Sequence, residues 1–272
     1  MTSKTDEIQK LYFDIETTPE IVAQFGIRGK KNTSHTQVLK RSVVMCISWA
    51  WNDDKVQHKT FDLPLYDWYA KDDDSDYNLI NHFTTLAQKA HLVIGHNLRF
   101  FDVAYLRSRI IKYQLPDFNP TLIDDTYQST KDIRFMSHKL DDLGDYLGYG
   151  TKEEHGSGYE WWIEVMRGDK NILKEMVKYC DKDVELDRQI YKHLSPYVKS
   201  NLNASVFFER PDACPNPLCG QSERPMIIRG YYQTRAGKYP KLQCPVCNTY
   251  CKKGENVMGK KFTGHATKEY NR

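Results

Sequence analysis

The sequence predicts a mixed α/β fold: a mixed sheet flanked by helices, plus a small C-terminal module. Three observations carry this reading. Residues 11–63 hold β-rich apolar runs in close succession, residues 76–198 alternate short apolar runs with helical periodicity, and four of the seven cysteines gather between 214 and 247. At 272 residues, 40% hydrophobic and 28% charged, the chain has room for one sizeable core and one minor unit.

The elements follow in order. LYFDIETTP (11–19) is a strand with a polar end. RSVVMCISWAWND (41–53) and KVQHKTFDL (55–63) read as adjacent strands joined by a turn at Asn52–Asp54. DYNLINHFTTLAQKA (76–90) puts Leu79, Ile80, Phe83, Leu86 and Ala87 on one helical face. HLVIGHN (91–97) is a short buried strand, and FDVAYLRSRIIKYQL (101–115) a helix stopped by Pro116. TLIDDT (121–126) is a further strand. SHKLDDLGDYLG (137–148) is a short helix, with Gly148 suited to its C-terminal cap. Helical period then runs from Asp169 to about Val198. The stretch 17–41, with five Lys/Arg against one Glu, suits a mobile surface loop or a substrate contact equally well. Trp161 and Trp162 are expected to pack rather than stack on a base.

The domain boundaries expected are 1–204, 205–255 for the cysteine module, and a basic, flexible tail over 256–272. From residue 205 onward twelve Lys/Arg face five Asp/Glu, a surplus of seven. Residues 1–204 therefore carry −4 of the net +3 (3 − 7). An acidic front with a basic rear fits a metal-using site joined to something that touches an anionic polymer. No run is apolar enough to span a membrane, the N-terminus lacks a signal-like apolar core, and an odd cysteine count argues against a secreted disulfide framework. An intracellular protein, cytoplasmic or nuclear, without a membrane partner is expected.

Alternation along the first strand puts Asp14 and Glu16 on one side and Ile15 on the other. Two carboxylates so close repel, so they either end the strand in solvent or share a cation. A second constellation, GHNLRFFDVAYL (95–106), sets Asp102 at a helix start, where the helix dipole favours an acid. A third, KYCDKDVELDRQIY (178–191), places Tyr179 and Asp183 four apart on one helical face. Taken together, D-x-E, N-x-x-x-F-D and Y-x-x-x-D resemble the three motifs of the DEDD superfamily of 3′–5′ exonucleases, in its tyrosine-bearing subgroup. YCDKDV is especially similar to the proofreading domain of family-B DNA polymerases. The resemblance covers roughly residues 8–198 and implies an RNase H-like fold. Lys178 stands where the histidine-bearing subgroup would place its histidine, which disfavours that branch.

The resemblance implies that Asp14, Glu16, Asp102 and Asp183 ligate two Mg²⁺ or Mn²⁺ ions. Such ions, about 3.5–4 Å apart, activate the attacking water and stabilise the departing oxyanion. Oxygen ligands suit these hard cations. Tyr179, with an ordinary pKa of about 10, would orient the water rather than deprotonate it. Asp181 lies between Tyr179 and Asp183 but is offset to another helical face, so Asp183 is preferred. Glu185 and Asp187 are expected to be solvated. The family implies that Asn97 organises the substrate strand, with His96 a hydrogen-bonded structural residue. SHKLDDLGDYLG resembles a core-helix segment of these nucleases, with Leu140, Leu143 and Leu147 packing.

CPNPLC (214–219), a 24-residue arm and CPVC (244–247) have the spacing of a zinc ribbon, with Cys214, Cys219, Cys244 and Cys247 holding one structural Zn²⁺. Cys251 is an alternative fourth ligand. The arm reads as a hairpin on which Arg229, Arg235, Lys238 and Lys241 interleave with Tyr231, Tyr232 and Tyr239, suiting nucleic acid or an acidic protein. Arg229, Arg235, Lys238 and Tyr232 are the substrate-binding candidates here. The function expected is a metal-dependent 3′–5′ exonuclease acting on nucleic acid with a free 3′ end, DNA favoured. The alternative is a non-catalytic nucleic-acid-binding or adaptor protein. The chain is too short for a full polymerase, and a separate polymerase or other replication or repair protein is a compatible partner.

Overall fold

The structure, a computed structural model, describes residues 7–24, 26, 33–118, 122–150, 159–220, 224–235, 237–252 and 254–257. The chain divides into two compact units, one of Gln9–Tyr191 and one joining Met1–Ile8 to Lys192–Arg272.

In the larger unit, β1 (Lys10–Thr17) is the middle strand of a five-stranded mixed sheet. Beside it runs β4 (Val44–Trp51), antiparallel to it, followed by β5 (Gln57–Thr60), antiparallel to β4. On its other side lie β6 (Leu92–Gly95) and β7 (Leu122–Asp125), both parallel to it. The strand order is β5-β4-β1-β6-β7. A short turn over 52–56 joins β4 to β5, whereas the parallel strands need helical crossovers. Those are α1 (Tyr77–Ala87), before β6, and α2 (Asp102–Tyr113), between β6 and β7. The expected strands and helices therefore form, with ends trimmed by a few residues. A separate ladder of β2 (Ile21–Val22) and β3 (Val38–Lys40) lies within the stretch whose loop character the sequence left open; residues 25 and 27–32 of it lie outside the described residues.

The two faces of β1 have different jobs. Leu11, Phe13 and Ile15 join the buried core with Leu79, Ile80 and Phe83 of α1, and the Phe13 and Phe83 rings lie 4.7 Å apart. Tyr12, Asp14 and Glu16 face α6 (Lys170–Leu194), where the Tyr12 and Tyr191 rings meet edge to face at 5.9 Å. Every residue of β6 is buried, as a strand covered on both faces requires. Between β7 and α6 come α3 (Thr126–Ser129), α4 (Leu140–Leu147) and α5 (Glu160–Met166). Gly148 caps α4 at φ 79°. Trp161 and Trp162 pack against the core as expected.

One buried ion pair ties α1 to α2. Arg109 donates to both oxygens of Asp76, at 2.6 and 2.9 Å, and Asp76 also accepts from Val44 N–H at 3.0 Å. Removing one partner leaves the other charge buried alone, so Arg109→Ala is expected to cost about 3–5 kcal/mol. Urea unfolding reads this directly; a cost below about 1 kcal/mol would mean that the pair behaves as a surface pair.

Two expectations are corrected. Asp187 is not solvated: it is 4% exposed and accepts from Thr126 Oγ1 at 2.6 Å. Glu185 is half-buried and bonded to Arg188 and Gln189. The reason is that β7 and α3 cover this side of α6, which its charge pattern alone does not reveal.

The smaller unit contains α7 (Ala204–Phe207) and an antiparallel sheet of β8 (Ile227–Thr234), β9 (Gly237–Gln243) and β10 (Tyr250–Lys252), in the order β10-β9-β8. Residues before 205 belong to it: Asn216 donates to Ser195 Oγ at 3.2 Å, and Ala204 N–H to Pro215 O at 2.9 Å. Beyond β10, Asn256 Oδ1 accepts from Lys238 N–H at 3.0 Å and Val257 N–H donates to Lys238 O at 2.8 Å. The described residues thus run two positions into the tail expected over 256–272, and its residues 258–272 lie outside them.

Candidate functional site

Asp14 and Glu16 stand half-buried at the C-terminal half of β1, on the face turned to α6. Because β6 runs parallel to β1, its C-terminal end lies at the same edge of the sheet. There Gly95 leads into the turn toward α2. A Cβ at Gly95 would come within 2.7 Å of Leu98 and the Phe13 carbonyl oxygen, so only glycine allows the chain to pass this close to β1. Asn97 adopts the left-handed conformation at φ 64°. Asp125 fixes this turn by accepting from Asn97 N–H and Arg99 N–H, each at 3.0 Å. His96 bonds Thr126 Oγ1 through Nδ1 at 2.9 Å, the structural role expected of it.

The turn delivers Asp102 to the first position of α2, 2% exposed. Its Oδ1 accepts from Ile15 N–H at 3.2 Å, which sets the carboxylate against the main chain of β1 at the residue that separates Asp14 from Glu16 in sequence. Burial pushes its pKa up to about 8, helped by the charges of Glu16 and Asp125 and opposed by the main-chain N–H groups of Asp102 and Ile15. The folded chain therefore keeps a proton that the unfolded chain, titrating at about 4, has released. More protons bound in the folded state means stability that falls as pH rises from about 4 to about 8. Asp102→Asn keeps an oxygen for Ile15 N–H and removes the charge. In chelator at pH 8 this variant is expected to melt about 3 °C or more above the parent, with the gap closing toward pH 4. Calorimetry that finds no gap at pH 8 would contradict the buried charge.

Helix α6 reaches the same end of β1. Buried Cys180 lies with Sγ 3.3 Å from Asp14 Oδ2 and 3.4 Å from its main-chain oxygen. Burial, then Cys46, Asp14 and Glu16, push this thiol upward, so it stays a neutral donor. Its neighbour Tyr179 is half-buried, and Asp183, one turn on, is 4% exposed. Asp181 is directed elsewhere, accepting from Ser48 Oγ at 2.6 Å on β4 and pairing with His58 Nδ1 at 3.0 Å on β5. Near it, a groove of about 660 Å³ is lined by His58, Lys59, Lys170, Lys174 and Lys178 over Leu173 and Val177.

Residues 11–195 match the family model of the RNase_H superfamily. The chain belongs to the RNase H superfamily. Among solved structures it is similar to the family B DNA polymerase of the hyperthermophilic archaeon Pyrobaculum calidifontis, with a TM-score of 0.50 and 18% identity. That match covers 70% of this chain and 25% of the polymerase chain, and at this identity it speaks for the fold. No curated protein matches.

This RNase H-superfamily chain carries a second constellation in its smaller unit. Cys214, Cys219, Cys244 and Cys247 place their sulfurs within 4.8 Å of one another. Cys214 and Cys247 are 3.6 Å apart, Cys219 and Cys244 3.7 Å. A disulfide would need about 2.05 Å. Four sulfurs on a tetrahedron around a cation at about 2.3 Å stand roughly 3.8 Å apart, so the set fits Zn²⁺. Val246 N–H donates to Cys244 Sγ at 3.4 Å and Thr249 Oγ1 lies 3.1 Å from Cys247 Sγ, the kind of support a thiolate needs. Burial, reinforced by the neighbouring thiols, pushes Cys219 up to about 12, so ionisation calls for a cation. Cys251 lies on β10 outside the set. Among the described residues these cysteines are the one group of metal-type side chains at such spacing; the acids of β1, α2 and α6 share an edge of the sheet without closing to it.

Of the hairpin candidates, Arg229 and Tyr232 lie on β8, Lys238 lies on β9 over the Tyr231 ring, and Arg235 is in the turn between the strands. Asp125 is the feature of the site that the sequence reading missed. Its signal was available: two acids, Asp124 and Asp125, closing an apolar strand.

Proposed function

We propose that the chain is a metal-dependent 3′–5′ exonuclease of the tyrosine-bearing DEDD type, acting on nucleic acid, DNA favoured. The observation that carries this is the Asp102 carboxylate bonded to the N–H of Ile15, the residue that separates Asp14 from Glu16 on β1, at the edge where α6 brings Cys180 onto Asp14. Asp14, Glu16, Asp102 and Asp183 would hold two Mg²⁺ or Mn²⁺. Bound there, such ions supply an activated water and stabilise the leaving 3′-oxygen. Tyr179, half-buried one helical turn before Asp183, would orient the attacking water through its hydroxyl. Asn97, locked in its turn by Asp125, positions the strand. Phe100 and Phe101, 71% and 44% exposed beside that turn, offer rings for unpaired bases. The lysine-lined groove adds affinity for phosphates.

The four cysteines would hold one structural Zn²⁺ in a zinc ribbon that assists substrate binding. A replication or repair polymerase is the kind of protein such a nuclease would serve. The reading is tested by following full-length single-stranded DNA with Mg²⁺, with Mn²⁺ or with EDTA, using the parent chain and Asp14→Ala. Consumption in either metal, absent with EDTA and in the variant, is expected. Binding without consumption in both metals would instead support the adaptor.

A further inference from the structure

We propose that one face of the β8–β9–β10 sheet binds an unpaired nucleic-acid strand, stacking its bases on Tyr232, Tyr239 and Tyr250 and holding its phosphates with Arg229, Lys241 and Lys252. This deepens the reading of the module as a substrate contact and rests on it. It specifies which face acts and the strand state of the ligand.

Register defines the face. Tyr232 is the cross-strand partner of Tyr239, Lys241 of Lys252, and Gln243 of Tyr250. Partners point to the same side of a sheet, and so do residues two apart on one strand. Arg229 joins them, its Nε donating to Gln243 Oε1 at 3.0 Å. A bulge between Ile228 and Tyr231, with Gly230 at φ 122°, shifts the phase of β8. It is this shift that puts Tyr232, rather than Tyr231, on the side of Arg229. The other face carries Tyr231 and Lys238 together with buried Pro240 and Leu242.

On the open face, cations and rings alternate. Lys241 Nζ lies 5.5 Å from the Tyr232 centroid and 4.7 Å from that of Tyr250, while Lys252 Nζ lies 4.2 Å from Tyr239. Tyr239 and Gln243 are separated by about 13 Å along β9. The Tyr232–Tyr239 pair and Tyr250 therefore mark the two ends of a strip with Lys241 between them. Neither β8, β9 nor β10 contains an acid. Tyr232 and Tyr250 are 37% and 46% exposed, so their rings are within reach of a ligand. A flexible ammonium resting on a ring can move to a phosphate while the ring takes a base. Only an unpaired strand offers base faces together with phosphates; a duplex keeps its base faces stacked. That combination selects single-stranded nucleic acid over an acidic protein, which offers charge but no row of planar rings.

The test uses the full chain carrying Asp14→Ala, so that no cleavage intervenes, and fluorescein-labelled DNA of about 16 nucleotides, single-stranded or paired, read by anisotropy. Tyr232→Ala and Tyr250→Ala are each expected to weaken single-strand binding about tenfold, and Tyr232→Phe to restore it. Lys241→Ala should weaken it and flatten its salt dependence. Tyr231→Ala, on the other face, should change it less than about twofold. Duplex should bind more weakly than single strand. Equal losses from both faces, failure of phenylalanine to rescue, or equal affinity for duplex would each overturn the proposal. Zinc content measured on every variant separates loss of contact from loss of fold. Cleavage by the parent chain is scored separately, so a failed exonuclease reading leaves this result standing, and the converse also holds.

Discussion

Asp183→Asn is expected to slow strand cleavage roughly a thousandfold, about 4 kcal/mol of barrier, without loss of fold. Asparagine has the shape of aspartate, and the residue is buried at 4% exposure on the long helix that packs against β1. The variant fills the same buried space without a charge to desolvate, so the melting temperature of the metal-free protein should hold or rise. Asp181→Asn is the matched control. Its carboxylate is already engaged by Ser48 and His58, so its loss should slow cleavage less than about tenfold. Rate measurements that reverse this order would move the ligand to Asp181 and displace Tyr179 from its proposed role.

Cys244→Ser should have the second large effect, this time on stability. Cys244 is fully buried, its sulfur 3.7 Å from that of Cys219 and bonded by Val246 N–H. A unit this small has little apolar core, and a structural zinc ion contributes on the order of 10 kcal/mol to folding. The variant is therefore expected to lose its zinc and its amide-exchange protection over β8, β9 and β10. The Gln9–Tyr191 unit should keep its protection. Cys251→Ser, outside the sulfur set, should retain zinc at the parental level. Retention of zinc by Cys244→Ser, or its loss from Cys251→Ser, would reassign the fourth ligand.

What could be read in advance follows from the range of each interaction. The strands and α1, α2 and α4 were legible because their apolar periods are local, and Gly148 marks a helix end by its own backbone need. The order and spacing of Asp14, Glu16, Asp102, Tyr179 and Asp183 were legible as a motif. The contacts that bring these elements together were not. Cys180 meets Asp14 across 166 positions, Thr126 meets Asp187 across 61, and Asp125 meets Asn97 across 28. Asp187 looked solvated because α6 carries acids at close intervals, and only β7 and α3 decide which of them is covered. The hairpin gives the same lesson on a smaller scale. Its basic and aromatic residues were visible, but Gly230 turns the phase of β8. Plain alternation would therefore have grouped Arg229 with Tyr231 instead of Tyr232.

The products of a single oligonucleotide labelled at one end test the proposed 3′–5′ hydrolysis most directly. With Mg²⁺ or Mn²⁺, 5′-labelled single-stranded DNA should shorten one nucleotide at a time into a ladder, and 3′-labelled DNA should release its label first as a mononucleotide. Both patterns should vanish in Asp14→Ala. Release of a 5′ mononucleotide first, or no cleavage in either metal by the parent chain, would contradict the assignment of this acidic edge to 3′–5′ hydrolysis.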